Sequence, residues 1–342
     1  MPDRKLRLHP TNLADHYHFE LPPAGFRPER ATDEQLRSYG LPHRPDPGKF
    51  PRAARLWLRC MRRVKKFIAP TLERHPELLH GNRVLLNDAT DTSRIWSGLS
   101  VTNNAPYLSI WGTWTVPLVA AVPNGASVSS MWVGLDDPPI TQSSLGSLLQ
   151  AGTEQDNFGS DIVNYYAWFE WFPQPSVTVS NLAIQPGESV AVYVGNVDEV
   201  AGGNQGLVTL FNYSSGVMTA PILVPIPTTD FNGNPISPPL PGVPTSRADW
   251  ILERPSFVQN GQGVAGILAD YGEASIIEGD AVGTSTAGGK TSANAIFVGE
   301  NDQGILHQML ADDGVTIISE ANEVPGLQFL YTGPTLPAPR VP

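Results

Sequence analysis

Val177-Thr-Val-Ser-Asn-Leu-Ala-Ile184, Gln185-Pro-Gly-Glu188 and Ser189-Val-Ala-Val-Tyr-Val-Gly195 read in succession as strand, turn and strand. Both apolar runs are short and rich in β-branched residues, and a Pro-Gly pair breaks the chain between them. The same grammar extends in both directions. Runs of similar make-up fall at 107–116, 127–135, 165–172, 207–213, 249–253, 274–277, 296–299, 305–310, 315–319 and 328–331, with turn chemistry at Ser214-Ser-Gly216 and Asp312-Asp-Gly314. Many short strands, tight turns and almost no helical periodicity predict an all-β fold, a two-sheet antiparallel β-sandwich or jelly roll. Residues 224–244 contain seven Pro and read as a long surface loop; 333–342 read as a Pro-rich extended tail. No internal repeat is visible.

The 342 residues hold 22 Lys+Arg and 33 Asp+Glu, a net charge of −11. That charge is unevenly placed: residues 1–90 carry 17 of the bases and a net of +7, and the remainder a net of −18. Composition therefore marks a boundary between a basic N-terminal segment, 1–90, and an acidic body, 91–332. The segment reads as mixed helix and loop. Thr32 and Gln35 form a capping box with Gly40 as the stop, and a second, basic amphipathic helix is expected from about Ala53 to Ile68, between Pro51 and Pro70. Such a helix can lie on a membrane, but the acidic body is the nearer target, so docking there is expected. A single Cys excludes a disulfide framework and a cysteine-based zinc site. Net acidity disfavours nucleic acid, and no apolar run reaches the length of a membrane span.

The body has one His, His307, so cysteine nucleophiles, two-His zinc sites and most imidazole schemes are unavailable within it. A Ser/His307/Asp triad lacks a Gly-x-Ser-x-Gly elbow. The Gly283–Thr291 run has the wrong spacing for a phosphate loop. His16-x-His18 lies outside the body and reads as a surface coincidence. What remains is carboxylate and amide chemistry among aromatics, with no metal or cofactor expected. Strand alternation groups Tyr166, Trp168, Glu170 and Phe172 on one face, and Trp132, Gly134 and Asp136 on one face. Glu253 faces opposite to Trp250 and Leu252. Singly, each pattern is ordinary core and rim; together they indicate a cleft lined with acids. Such a cleft suits a glycoside hydrolase using Glu170 and Glu253, or a carbohydrate-binding sandwich without catalysis.

Five stretches carry a family resemblance: Ile95-Trp-Ser-Gly98, Met131-Trp-Val-Gly-Leu-Asp136, Ser147-Leu-Leu-Gln-Ala-Gly152, Ala167-Trp-Phe-Glu-Trp-Phe-Pro173 and Ala248-Asp-Trp-Ile-Leu-Glu253. In this order they resemble the glutamic peptidases of the eqolisin type, peptidase family G1, over roughly 92–332. The resemblance implies a concanavalin-like sandwich and an acid-acting endopeptidase on polypeptide substrates. It implies a catalytic pair at Gln150 and Glu253, with Trp96, Trp132, Asp136, Trp168, Glu170 and Phe172 lining the active-site face. Ile95, Asp137 and Phe172 depart from common family residues, which bears on subsite preference and rate, and the cystines of fungal members are absent. The basic segment is then expected to act as a prosegment. It would cover the acidic face at neutral pH and be released by acid, with self-cutting near 85–95. The resemblance also implies secretion. The Met1-Pro-Asp-Arg-Lys-Leu-Arg start carries no apolar leader stretch, so a cytoplasmic location stays open. Asn212-Tyr-Ser214 is a formal glycosylation sequon.

Overall fold

Along the Ser127–Asp137 strand, Met131, Val133 and Leu135 point one way and Trp132 and Asp136 the other, and this alternation builds the whole molecule. The computed structural model describes residues 7–81, 92–102, 106–123, 125–138, 146–159, 162–197, 203–287, 290–297, 304–324 and 326–335, with backbone only for 284–297. Two antiparallel sheets pack face to face. The first runs, in spatial order, Leu72–His75, Ser176–Ala183, Val163–Phe172, Ser147–Asn157, Ser127–Asp137, Arg247–Glu253, Trp96–Val101 and Ile305–Leu310. The second runs Tyr17–Phe19, Ile222–Pro225, Gln205–Asn212, Ser189–Asn196, Tyr107–Thr115, Glu273–Ala287, Gly326–Tyr331 and Ile317–Val324. Ile305–Leu310 also pairs with Ile317–Val324 and joins the sheets at one edge. The expected sandwich is the observed one.

The core fills the space between the sheets. Val133, Leu149, Phe169, Trp171, Trp250 and Leu252 of the first sheet meet Ile110, Trp114, Val192, Val208, Leu210 and Ile276 of the second. Each such side chain contributes roughly 1.5–3 kcal/mol on leaving water. Because these residues face inward, every second residue of the first sheet is committed to its outer face, and the chemistry sits there.

The basic segment is threaded into both sheets. The Asp33–Ser38 helix has the expected capping box, Thr32 Oγ1 accepting from Gln35 N while Gln35 Oε1 accepts from Thr32 N. The second helix spans Pro51–Arg63 and buries Leu56, Trp57, Cys60 and Met61 against Trp111, Tyr193, Phe211 and Met218 on the outer face of the second sheet. Arg59 pairs with Glu278 there. This helix was expected to reach Ile68. Instead the amides of Lys65 and Lys66 donate to Gly216 O, and Lys66–Ile68 becomes a strand parallel to Val217–Thr219. Sheet pairing for Phe67 and Ile68 outweighs helical spacing. His16 and His18, expected at the surface, are buried with their Nδ1 atoms on backbone carbonyls. Asn212 is also buried, its amide donating to Ala183 O and to Glu188 Oε2, which withdraws the sequon from solvent. Residues 85–91 of the 85–95 stretch where cutting was expected, and most of the Pro-rich tail, lie outside the described residues.

Candidate active site

The outer face of the first sheet carries all eight site residues expected from the sequence. Trp96, Trp132, Trp168, Phe172 and Leu148 form a buried apolar floor with Ile251. Gln150, Glu170, Glu253 and Asp136 rise from the same face, each fully buried. Gln150 stands opposite Glu170 on one neighbouring strand and opposite Gly134 on the other. Glu253 stands opposite Ser130, one strand further and four residues along. Gly134 leaves room for the amide: a Cβ there would sit 3.0 Å from Gln150 Cβ and 2.9 Å from Leu148 Cδ1.

What closes over this face is the end of the N-terminal segment. Leu78–Leu79 pairs with Ser256–Gln259 and brings the next two residues across the site. Gly81 N donates to Glu253 Oε1 at 2.7 Å, while Trp132 Nε1 donates to Glu253 Oε2 at 2.7 Å. A Cβ on Gly81 would lie 3.2 Å from Gln150 Nε2, so a single residue's backbone spans the gap between amide and carboxyl. Gln150 Nε2 donates to Glu170 Oε1 at 3.4 Å, and Gln150 Oε1 accepts no hydrogen bond among the described residues. Glu170 Oε2 accepts from His80 N at 3.1 Å, and the His80 ring sits between Glu170 and Glu154.

Burial pushes Glu253 up to about 8, against the pull of the Gly81, Trp132 and Trp96 N–H groups. Glu170 and Glu154 are held well above the ordinary carboxyl range for the same reason, Asp156 is raised to about 7, and His80 is held well below its usual value. In this closed, dry arrangement desolvation of Glu253 exceeds the effect of its donors.

Asp136, expected to line the active-site face, meets the Arg247 guanidinium at 2.5 Å, and Arg247 Nε reaches Asp249 Oδ1 at 3.2 Å. The guanidinium lies 5.7 Å from the Trp96 ring centroid. Arg247→Ala would leave two carboxylates buried together, so a loss of about 3–5 kcal/mol in chemical unfolding is expected, with part of it recovered by adding Asp249→Asn. Sequence reading missed Arg247, Asp249, Glu154, His80 and Gly81. Alternation along Ser147–Asn157 puts Glu154 on the face of Gln150, and that signal was available; nothing local marks His80 or Gly81.

Comparison with known proteins gives this face its context. A family model described as the Peptidase A4 family matches residues 94–319. Aspergillopepsin-2 of Aspergillus niger is 24% identical over 281 residues, covering 75% of this chain and 90% of that protein. The crystal structure of scytalido-glutamic peptidase with a transition state analog inhibitor superposes with a TM-score of 0.50 at 18% identity, over 70% of this chain and 98% of the other. That superposition shows the shared fold, and the family match sets aside the carbohydrate readings. With five short motifs in register and a family model spanning both sheets, the chain belongs to the Peptidase A4 family and is a hydrolase of peptide bonds.

Proposed function

We propose that this protein is an acid-acting glutamic endopeptidase in which Glu253 and Gln150 activate one water between them. The observation that supports it most is the reach of both side chains to Gly81, from strands that are not neighbours. A peptide backbone lying there meets a carboxyl on one side and a primary amide on the other. Ionised Glu253 takes a proton from water, and the water oxygen attacks the scissile carbonyl. Gln150 Nε2 donates to the developing oxyanion; its Oε1 has acceptor capacity to hold the water. Protonated Glu253 then gives its proton to the leaving amine. Glu170 holds the Gln150 amide in orientation, and Trp96, Trp132, Trp168 and Phe172 wall the cleft. When the covering peptide leaves and water enters, Glu253 falls back toward the ordinary carboxyl range of about 4.3, which suits a base working in acid.

Gln150→Ala removes one oxyanion donor, and a fall in kcat of about 10²–10³-fold is expected in an acid digestion assay with a peptide substrate. An unchanged kcat would take Gln150 out of the mechanism.

Residues 1–90 are assigned the role of a cover ending at His80-Gly81. Three pH effects act on it, not all in one direction. Protonation of the body removes attraction for the +7 segment and favours release. At the seat itself, Glu170 and Glu253 bind protons more tightly closed than open, so their contribution to closure is full below the ordinary carboxyl range and is lost as pH rises, for Glu253 through about 8. His80 acts the other way, since burial keeps it neutral and acid favours its exposure. Acid therefore loosens the segment's surface contacts while the carboxyl seat tightens. Permanent opening is assigned to cutting of the segment. Export from the cell is the corresponding expectation for location.

A further inference from the structure

Beside the Gln150–Glu253 pair, one seat on the same face is fully built, and the chain fills it with its own side chain. The His80 imidazole is wholly buried and lies flat on the Trp168 indole, ring centroids 3.5 Å apart and planes 9° apart. Its Nε2 is 2.8 Å from Glu154 Oε2 and its Nδ1 is 3.4 Å from Glu170 Oε2. Both nitrogens are matched however the protons are divided: a neutral ring accepts from one carboxyl and donates to the other, and a charged ring donates to both. A phenyl ring could stack on Trp168 but would strand Glu154 in a dry site, and an aliphatic chain would forfeit the stacking as well. Glu154 reaches this seat because it lies four residues beyond Gln150 on one strand face. Gly81, the residue after His80, gives its N–H to Glu253. The peptide bond that follows the imidazole thus presents its nitrogen where a leaving amine is protonated.

We propose that Trp168, Glu154 and Glu170 form the pocket for the residue on the N-terminal side of the cut, that it takes an imidazole, and that Glu154 is its specificity-determining residue. This rests on the reading of Gln150 and Glu253 as the hydrolytic pair. The step balances without any further reactant. The water oxygen bonds to the carbonyl carbon of the histidine, one water proton passes to Glu253, the C–N bond breaks, and Glu253 returns the proton to the amine. One product ends in a histidine carboxylate and the other begins with a free amine.

Two readouts on the full-length chain test it. In His80→Ala, imidazole is the probe: it raises the melting temperature saturably, leaves the wild type, whose seat is filled, unshifted, and is needed at ~10-fold higher concentration in His80→Ala/Glu154→Gln. In the second, the full-length chain digests a denatured protein mixture in acid and the cut bonds are read by mass spectrometry. Cuts after His exceed their chance frequency, and Glu154→Gln lowers the ratio of cuts after His to cuts after Phe ~10-fold. Glu154→Gln keeps the side-chain shape, so melting curves separate a folding defect from a lost partner. Absence of an imidazole shift in His80→Ala, or cuts after His at chance frequency, overturns the proposal. Imidazole stabilisation with no bond cut by wild type or by Glu253→Gln supports the seat and overturns the hydrolytic reading instead.

Discussion

Replacing Glu253 with Gln is expected to lower kcat for peptide hydrolysis on the order of 10⁴-fold, since one group serves as base and then as acid. The shape of the side chain is kept, Trp132 Nε1 retains an acceptor, and the fold should hold. Stability gives a second reading of the same variant. In the folded chain Glu253 is pushed up to about 8, against an unfolded value near 4.3. The folded state therefore binds the proton more tightly; its contribution is full below the unfolded value and is lost as pH rises through about 8. Gln has no such dependence, so the melting temperature of the variant should rise relative to wild type as pH goes from 5 to 9. Substantial residual turnover would remove Glu253 from the chemistry, and a parallel pair of melting curves would show that it is not buried as described.

Gly81→Val should make the full-length chain active from the first minutes in acid, with an initial rate at least ~10-fold above wild type. Gly81 has φ +73°, a left-handed conformation that a β-branched residue avoids, and a Cβ there would meet Leu148 Cδ2 at 2.6 Å and Gln150 Nε2 at 3.2 Å. The covering strand is held at that point by Leu78 and Leu79 paired with Ser256 and Phe257, by the His80 ring on Trp168 and Glu154, and by the Gly81 N–H on Glu253, so only the last of these is strained directly. Strain of this kind shifts the closed seat toward the open one without touching the dyad's covalent structure. Progress curves on a denatured protein substrate, with amide exchange at 78–81 alongside, check it. Equal initial rates together with faster exchange at 78–81 would show that the segment does not obstruct the site.

How much of this could be read in the sequence depends on which forces placed each residue. The strands at 107–116, 127–135, 165–172 and 189–195 were legible because alternation and β-branched residues act locally, and the faces of Trp132, Trp168 and Glu170 followed from a two-residue period. The Ser147–Asn157 strand was not among the expected runs. Its residues include Gln150, Glu154, Gln155, Asp156 and Asn157, every one of them buried. Polar residues read as turn or surface unless something covers them, and the residue that covers Glu154, His80, lies some seventy positions away. The Pro51–Arg63 helix was legible from its apolar stripe, whereas its end was not, because the pairing of Lys66–Ile68 with Val217–Thr219 is a long-range event. Asp136 was placed correctly on its face from its own strand, but its commitment to Arg247 needed the neighbouring strand to be known.

The most direct measurement is a crystal structure of the full-length Glu253→Gln chain with its 80–81 seat vacated by Gly81→Val and an uncut peptide bound. Joint action of the two side chains requires the scissile carbonyl oxygen within ~2.6–3.2 Å of Gln150 Nε2, and one water held at the same range between Gln150 and residue 253. A scissile carbon seated beyond hydrogen-bond reach of both, or a water touching one of them alone, would contradict it.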